Sequence, residues 1–138
     1  MRYLLDTHTL VWLLSSQNGK LPESLRESLL YYEDDFFVSE VSLIEIIQLQ
    51  QIGRFKLSRP KTARKIVEDN GIIILPASDD ILELFYDLPV PTINNRRHSD
   101  PFDRIIIATA ICRECTLVSA DEKFPWYREH CKLSLLSF

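Results

Sequence analysis

Four short apolar runs punctuate this chain of 138 residues: Tyr3-Leu4-Leu5, Phe36-Phe37-Val38, Ile72-Ile73-Ile74-Leu75 and Thr116-Leu117-Val118-Ser119. Each is too short to be a helix and too uniformly apolar to keep one face in water. Between them, apolar residues recur every three or four positions, the spacing of helices. Buried strands alternating with helices predict a mainly parallel, short-stranded sheet covered on both faces. Leu133 to Leu136 adds a fifth candidate strand. One domain over 1–138 suits the length.

Local signals place the helices. Thr9 is expected to cap a helix over Leu10 to Leu14, which Asn18-Gly19 ends, and Pro22 to start one through Leu25, Leu29 and Leu30. Ser39 or Ser42 is expected to cap a third helix running to Ile52 and closed by Gly53. Lys61 to Asn70 reads as an exposed helix, and Asp79 as the cap of the next. Pro89 to His98 reads as a polar loop. Asp100, Pro101 and Asp103 then open an apolar helix to about Cys115, because an acid at the cap and a proline at the first position suit a helix start. A short helix from Asp121 follows the fourth strand.

The formal charge of −4 weighs against a simple electrostatic nucleic-acid binder, though not against an enzyme that brings its own cations. Met1-Arg2-Tyr3-Leu4-Leu5-Asp6 does not read as a signal peptide, and no apolar stretch has the length of a membrane span. A cytoplasmic protein is expected. The three cysteines, Cys112, Cys115 and Cys131, are expected to bind no metal, since His130 and Cys131 are adjacent and strain a tetrahedral zinc site. Trp12, Trp126 and Tyr127 are expected in the core or at a dimer contact.

Ligands of parallel sheets bind at the carboxyl ends of the strands. Asp6 follows the first strand there, and Asp121 follows the fourth. Asp103 lies on the helical face of Ile106, Ile107 and Ala110, so it points toward the sheet rather than toward water. Glu45 is flanked by Ile44, Ile46 and Ile47. Each acid also has a purely structural account: a turn at Asp6, a capping box from Ser42 to Glu45, a helix start at Asp100 and Asp103, a cap at Asp121. Together they suggest a cluster, which repulsion forbids unless protons or cations neutralise it. Hard oxygen donors suit Mg²⁺ or Mn²⁺, and such ions suit phosphodiester hydrolysis.

In order, LLDTHTLVWLL, SEVSLIEI, HSDPFDRIIIATA and LVSADEKF resemble the motifs of the PIN-domain family, above all its VapC-type toxins. The resemblance spans nearly the whole chain and implies an α/β/α sandwich that hydrolyses RNA with Mg²⁺ or Mn²⁺. It implies Asp6, Glu45, Asp103 and Asp121 as catalytic, metal-holding acids, with Asp100 as a further ligand. It also implies a homodimer and an antitoxin partner. Arg96, Arg97 and Arg104 are candidates for phosphate contact, and Thr7 and Ser119 for substrate contact; His8 and His98 are expected to be structural. The expected cleavage leaves a 5′ phosphate and a 3′ hydroxyl. Alternatives are a PIN nuclease of RNA processing or of DNA with no antitoxin, a phosphoacceptor signalling domain, and a non-catalytic binding module. Single Asp6 after the first strand argues against the signalling domain.

Overall fold

Leu4 and Leu5 are neighbours in one strand, yet they sit in two different cores. The computed structural model describes residues 1–15, 17–56 and 63–138. The chain runs β1 (Arg2–Leu5), α1 (Thr7–Leu14), α2 (Glu23–Leu30), β2 (Asp35–Ser39), α3 (Glu40–Gln51), α4 (Ala63–Asp69), β3 (Ile73–Leu75) and α5 (Asp79–Asp87). Then come β4 (Thr92–Ile93), β5 (Arg96–Arg97), α6 (Pro101–Cys112), β6 (Thr116–Ser119), α7 (Phe124–His130) and β7 (Ser134–Ser137). Five strands form one parallel sheet in the order β3-β2-β1-β6-β7.

Side chains alternate across a strand. Leu4, Phe37 and Leu117 therefore face one side, against Ile81, Ile106, Ile107 and Tyr127 from α5, α6 and α7. Leu5, Phe36, Val38 and Val118 face the other, against Leu10, Leu25, Ile46 and Val67 from α1 to α4. The result is the expected α/β/α sandwich. Leu4, Val38 and Leu117 are fully buried, and burial of each such side chain stabilises the fold by about 1.5–3 kcal/mol.

The strand order decides where a ligand fits. From β1 the chain builds outward to β2 and β3, then crosses back to lay β6 on the other side of β1. The connections leaving β1 and β6 thus diverge, and a crevice opens at their carboxyl ends. Asp6, Ser119 and Asp121 stand there, and the Asp6 N–H donates to Val118 O at 3.2 Å.

Several local expectations need correction. Asp6, not Thr9, caps α1: its carboxylate accepts the Thr9 N–H, a stronger cap than a hydroxyl that instead donates to Val118 O. Ser39 rather than Ser42 caps α3, so no capping box joins Ser42 to Glu45. Ser78 is the cap residue of α5, and Asp79 its first residue. β3 is an edge strand and only partly buried, with Ile73 51% exposed. α4 is not wholly exposed, because Val67 packs into the core; Lys61 and Thr62 lie outside the described residues. α6 ends at Cys112, and α7 starts at Phe124 rather than Asp121.

The largest difference is the expected polar loop. Thr92–Ile93 and Arg96–Arg97 pair antiparallel around Asn94 and Asn95, both at positive φ, 52° and 63°. Asparagine tolerates that backbone, and a two-residue turn of this hand matches the twist of paired strands. The arginines are therefore carried on a ribbon. Among the described residues no helix is long and apolar enough to cross a membrane.

Candidate active site

The crevice between β1 and β6 opens into a cavity of about 630 Å³, within the usual range of ligand sites. Asp6, Asp100 and Asp121 line it, and the ribbon forms another wall with Arg96 and Arg97. Glu45 and Asp103 do not line this cavity, but Glu45 feels the charges of Asp103 and Asp100. The fold thus sets Asp6, Asp100 and Asp121 on the cavity wall and places Glu45 within electrostatic reach of Asp100 and Asp103.

Ser119 ties two of them. Its hydroxyl donates to Asp6 Oδ2 at 2.5 Å, and its oxygen accepts the Asp121 N–H at 3.0 Å. Asp6 Oδ1 accepts the Thr9 N–H at 2.9 Å. Thr7, the next residue along, donates its hydroxyl to Glu45 Oε1 at 2.6 Å and lies 3.0 Å from Ser42 Oγ. Both hydroxyls are buried. Thr7 and Ser119 therefore orient carboxylates, which corrects the expectation that they face substrate.

Asp100 caps α6, its Oδ1 accepting the Phe102 N–H at 2.9 Å and the Asp103 N–H at 3.4 Å. Half-buried Asp103 meets the His98 ring through Oδ2. Asp121 Oδ1 accepts the Lys123 N–H at 2.8 Å and pairs with Lys123 Nζ at 3.1 Å. Glu45 Oε2 and Asp103 Oδ1 are left over from these bonds. Among the described residues no three acidic, imidazole or thiol groups already close round one point. Carboxylates without a counter-ion repel, and Mg²⁺ keeps several waters, so it reaches acids directly and through water.

Burial pushes the Asp6 carboxyl above its ordinary 3.8, against hydrogen bonds from Ser119 and Thr9 and the nearby His8. Burial also pushes Glu45 above 4.5, and the charges of Asp103 and Asp100 push it further, while Thr7 and His8 oppose. From about pH 4 up to those raised values, the folded chain holds protons that the unfolded chain has released. Stability of the cation-free protein therefore falls as pH rises through that window. Thermal melts of wild type and of a doubly neutralised Asp6→Asn, Glu45→Gln variant should diverge as pH rises from about 4.5 to 7, the variant becoming the more stable. Parallel profiles would contradict the assignment. Buried acids with raised proton affinity and free hard oxygens fit a divalent cation.

Two sequence expectations fail here. Arg104 does not reach the cavity: it is 5% exposed, donating to Leu88 O at 3.0 Å and to Pro89 O at 2.7 Å. Trp12 lines the cavity instead of a core, edge-on to Phe138 and beneath the Lys20 ammonium. His8, Asn94 and Lys123 also line it. The signal that would have found Lys123 is its place two residues after the acid that follows β6; Asn94 becomes visible only once the ribbon is known. Cys112, Cys115 and Cys131 form no disulfide.

A parallel α/β/α fold with acids at the point where its central strands diverge has the ligand crevice expected of open parallel sheets. The PIN domain model matches residues 3–129, and the chain belongs to that family of nucleases. Comparison with curated proteins finds no match. Among solved structures, the chain is similar to VapBC2 from Rickettsia felis bound to a promoter DNA fragment, at 20% identity and TM-score 0.61, covering 99% of this chain and 98% of that one. It is also similar to FitAB bound to the IR36 DNA fragment, at 15% identity and TM-score 0.65, covering 98% and 94%. VapBC-5 from Mycobacterium tuberculosis, a member of a toxin–antitoxin family, matches at 16% identity and TM-score 0.60, covering 99% and 98%.

Proposed function

We propose that the protein is a divalent-metal-dependent endoribonuclease, the toxin of a toxin–antitoxin pair, working as a single PIN domain over 1–138. The observation that carries this reading is that Ser119 ties Asp6 to Asp121 at one crevice while Thr7, the neighbour of Asp6, holds Glu45, whose carboxyl is raised by burial and then by the charges of Asp103 and Asp100. Asp6, Glu45, Asp103 and Asp121 would hold Mg²⁺ or Mn²⁺, with Asp100 at the rim. Such an ion supplies Lewis acidity toward an attacking water and a leaving oxygen. The chain's own residues do the rest. Ser119 and Thr7 fix the carboxylates, the crevice admits the scissile phosphate, and no side-chain nucleophile is required. The products would be a 5′ phosphate and a 3′ hydroxyl.

Arg96 and Arg97, on the cavity wall, offer phosphate contacts to an acidic protein. Replacing either with alanine should weaken RNA binding across sequences and lower the salt slope of binding by about one. The melting temperature should not change, because both side chains are exposed. A salt slope equal to that of wild type would remove them from the interface.

The protein partners proposed are a cognate antitoxin and a second copy of the chain, in the cytoplasm. Exposed Ile44 and Ile47 on α3, with Ile52 at its C-cap, give a protein partner apolar surface to cover. The toxin–antitoxin arrangement of VapBC-5 supports the antitoxin.

The test is cleavage of RNA by the purified chain with Mn²⁺, with Mg²⁺ and with chelator, alongside thermal melts. Cleavage should need the metal. Mn²⁺ should stabilise the fold by about 2.7 kcal/mol at a hundredfold excess over Kd. Cleavage that survives chelation, or no shift at millimolar Mn²⁺, would overturn the metal site. Growth arrest on expression, relieved by the product of a neighbouring reading frame, would support the toxin role; unimpaired growth of cells making active enzyme would oppose it.

A further inference from the structure

We propose that His98 is a positioning residue for Asp103, held by a one-way chain of hydrogen bonds that starts at Arg104. Arg104, Tyr127 and His98 are all buried, at 5%, 0% and 5% exposure. Arg104 NH1 lies 3.3 Å from the Tyr127 hydroxyl, the Tyr127 hydroxyl 2.9 Å from His98 Nδ1, and His98 Nε2 3.2 Å from Asp103 Oδ2.

Distances alone leave the direction open, because a histidine ring nitrogen either donates or accepts. Arg104 removes the choice. A guanidinium only donates, and it also donates to the carbonyls of Leu88 and Pro89. The Tyr127 oxygen must accept from NH1. Its own hydrogen is then free for Nδ1, and burial pushes the phenol above its ordinary pKa, so that hydrogen stays in place. With Nδ1 accepting, the ring carries its proton on Nε2 and donates it to Asp103 Oδ2. Ring packing fixes the imidazole further: Tyr127 stands edge-on at 5.6 Å and Phe124 at 6.4 Å, while the His98 N–H donates to Pro91 O at 2.9 Å.

The chain of bonds thus sets which oxygen of Asp103 is taken and turns Oδ1 outward from it. A carboxylate with no such partner spins about its last torsion and presents either oxygen. Hydrogen bonds of this kind behind a metal ligand are worth about ten- to a hundredfold in metal affinity. The residue that sequence assigned to phosphate contact, Arg104, is here the anchor of the relay.

The role rests on Asp103 serving as a cation ligand, but its first test does not. Nitrogen-15 NMR of the metal-free wild type at neutral pH should show His98 protonated on Nε2 and bare on Nδ1. A ring carrying hydrogen on Nδ1 overturns the inference. The second test is Mn²⁺ affinity by electron paramagnetic resonance. His98→Gln places an amide donor near the Nε2 position and should stay within about threefold of wild type, whereas His98→Leu should lose about ten- to a hundredfold. Equal affinities, or equal losses, overturn the inference. Failure of wild type to bind Mn²⁺ at all would overturn the proposed function together with this role. Mn²⁺ binding by a wild type protonated on Nδ1 would overturn this role alone.

Discussion

Asp103→Asn should lose RNA cleavage by about a thousandfold or more while keeping its fold. A metal centre supplies several kcal/mol of transition-state stabilisation, and about 4 kcal/mol corresponds to a factor of about a thousand. The substitution removes a charge and almost no volume, and an asparagine oxygen still accepts from His98 Nε2. Asp6→Asn should behave alike in activity. It should also melt at or above the wild-type temperature without metal at pH 7, because the fold no longer holds a carboxylate that burial disfavours. Circular dichroism melts and a fluorescent RNA substrate read both properties. Loss of activity accompanied by strong destabilisation in both variants would make these acids structural, and retained activity would remove them from the site.

Arg104→Ala should destabilise the protein by about 3 kcal/mol or more, a large share of the roughly 5–15 kcal/mol that holds a domain together. The guanidinium donates to Leu88 O, Pro89 O and the Tyr127 hydroxyl, and lies 5.6 Å from the Phe85 ring. Its removal strands buried acceptors, each at about 1–3 kcal/mol. Arg104→Lys should lose less but not recover wild-type stability, since one ammonium lacks the fork that serves three acceptors together. Urea unfolding measures the difference. A loss below about 1 kcal/mol, with weaker RNA binding instead, would restore the phosphate-contact role and break the anchor of the His98 relay.

The two arginine expectations show where sequence stopped. Arg96, Arg97 and Arg104 are alike as letters close to an acidic motif. The first two sit on a ribbon whose turn depends on two asparagines at positive φ, and their side chains stay in water. The third points inward because α6 packs against α5, whose end presents two carbonyls without helical partners. Thr7 and Ser119 carried a similar ambiguity. A hydroxyl beside an acid meets either substrate or the acid, and only the spacing of α3 and β6 around β1 selects the acid.

What the sequence determined by itself is periodic or local. Runs of buried apolar residues alternating with helical spacing dictated a parallel sheet with two covered faces, since no other arrangement buries both sides of such strands. The start of α6 followed from Asp100 and Pro101, whose chemistry acts within one turn. The order of motifs from Asp6 to Asp121 pointed to the family. Tertiary structure alone decided which strands lie side by side, and therefore that Asp6 and Asp121 share Ser119 although more than a hundred residues part them. It also decided the direction in which each polar side chain faces. Those outcomes depend on contacts between distant segments, and the local chemistry of a residue holds no record of its remote neighbours.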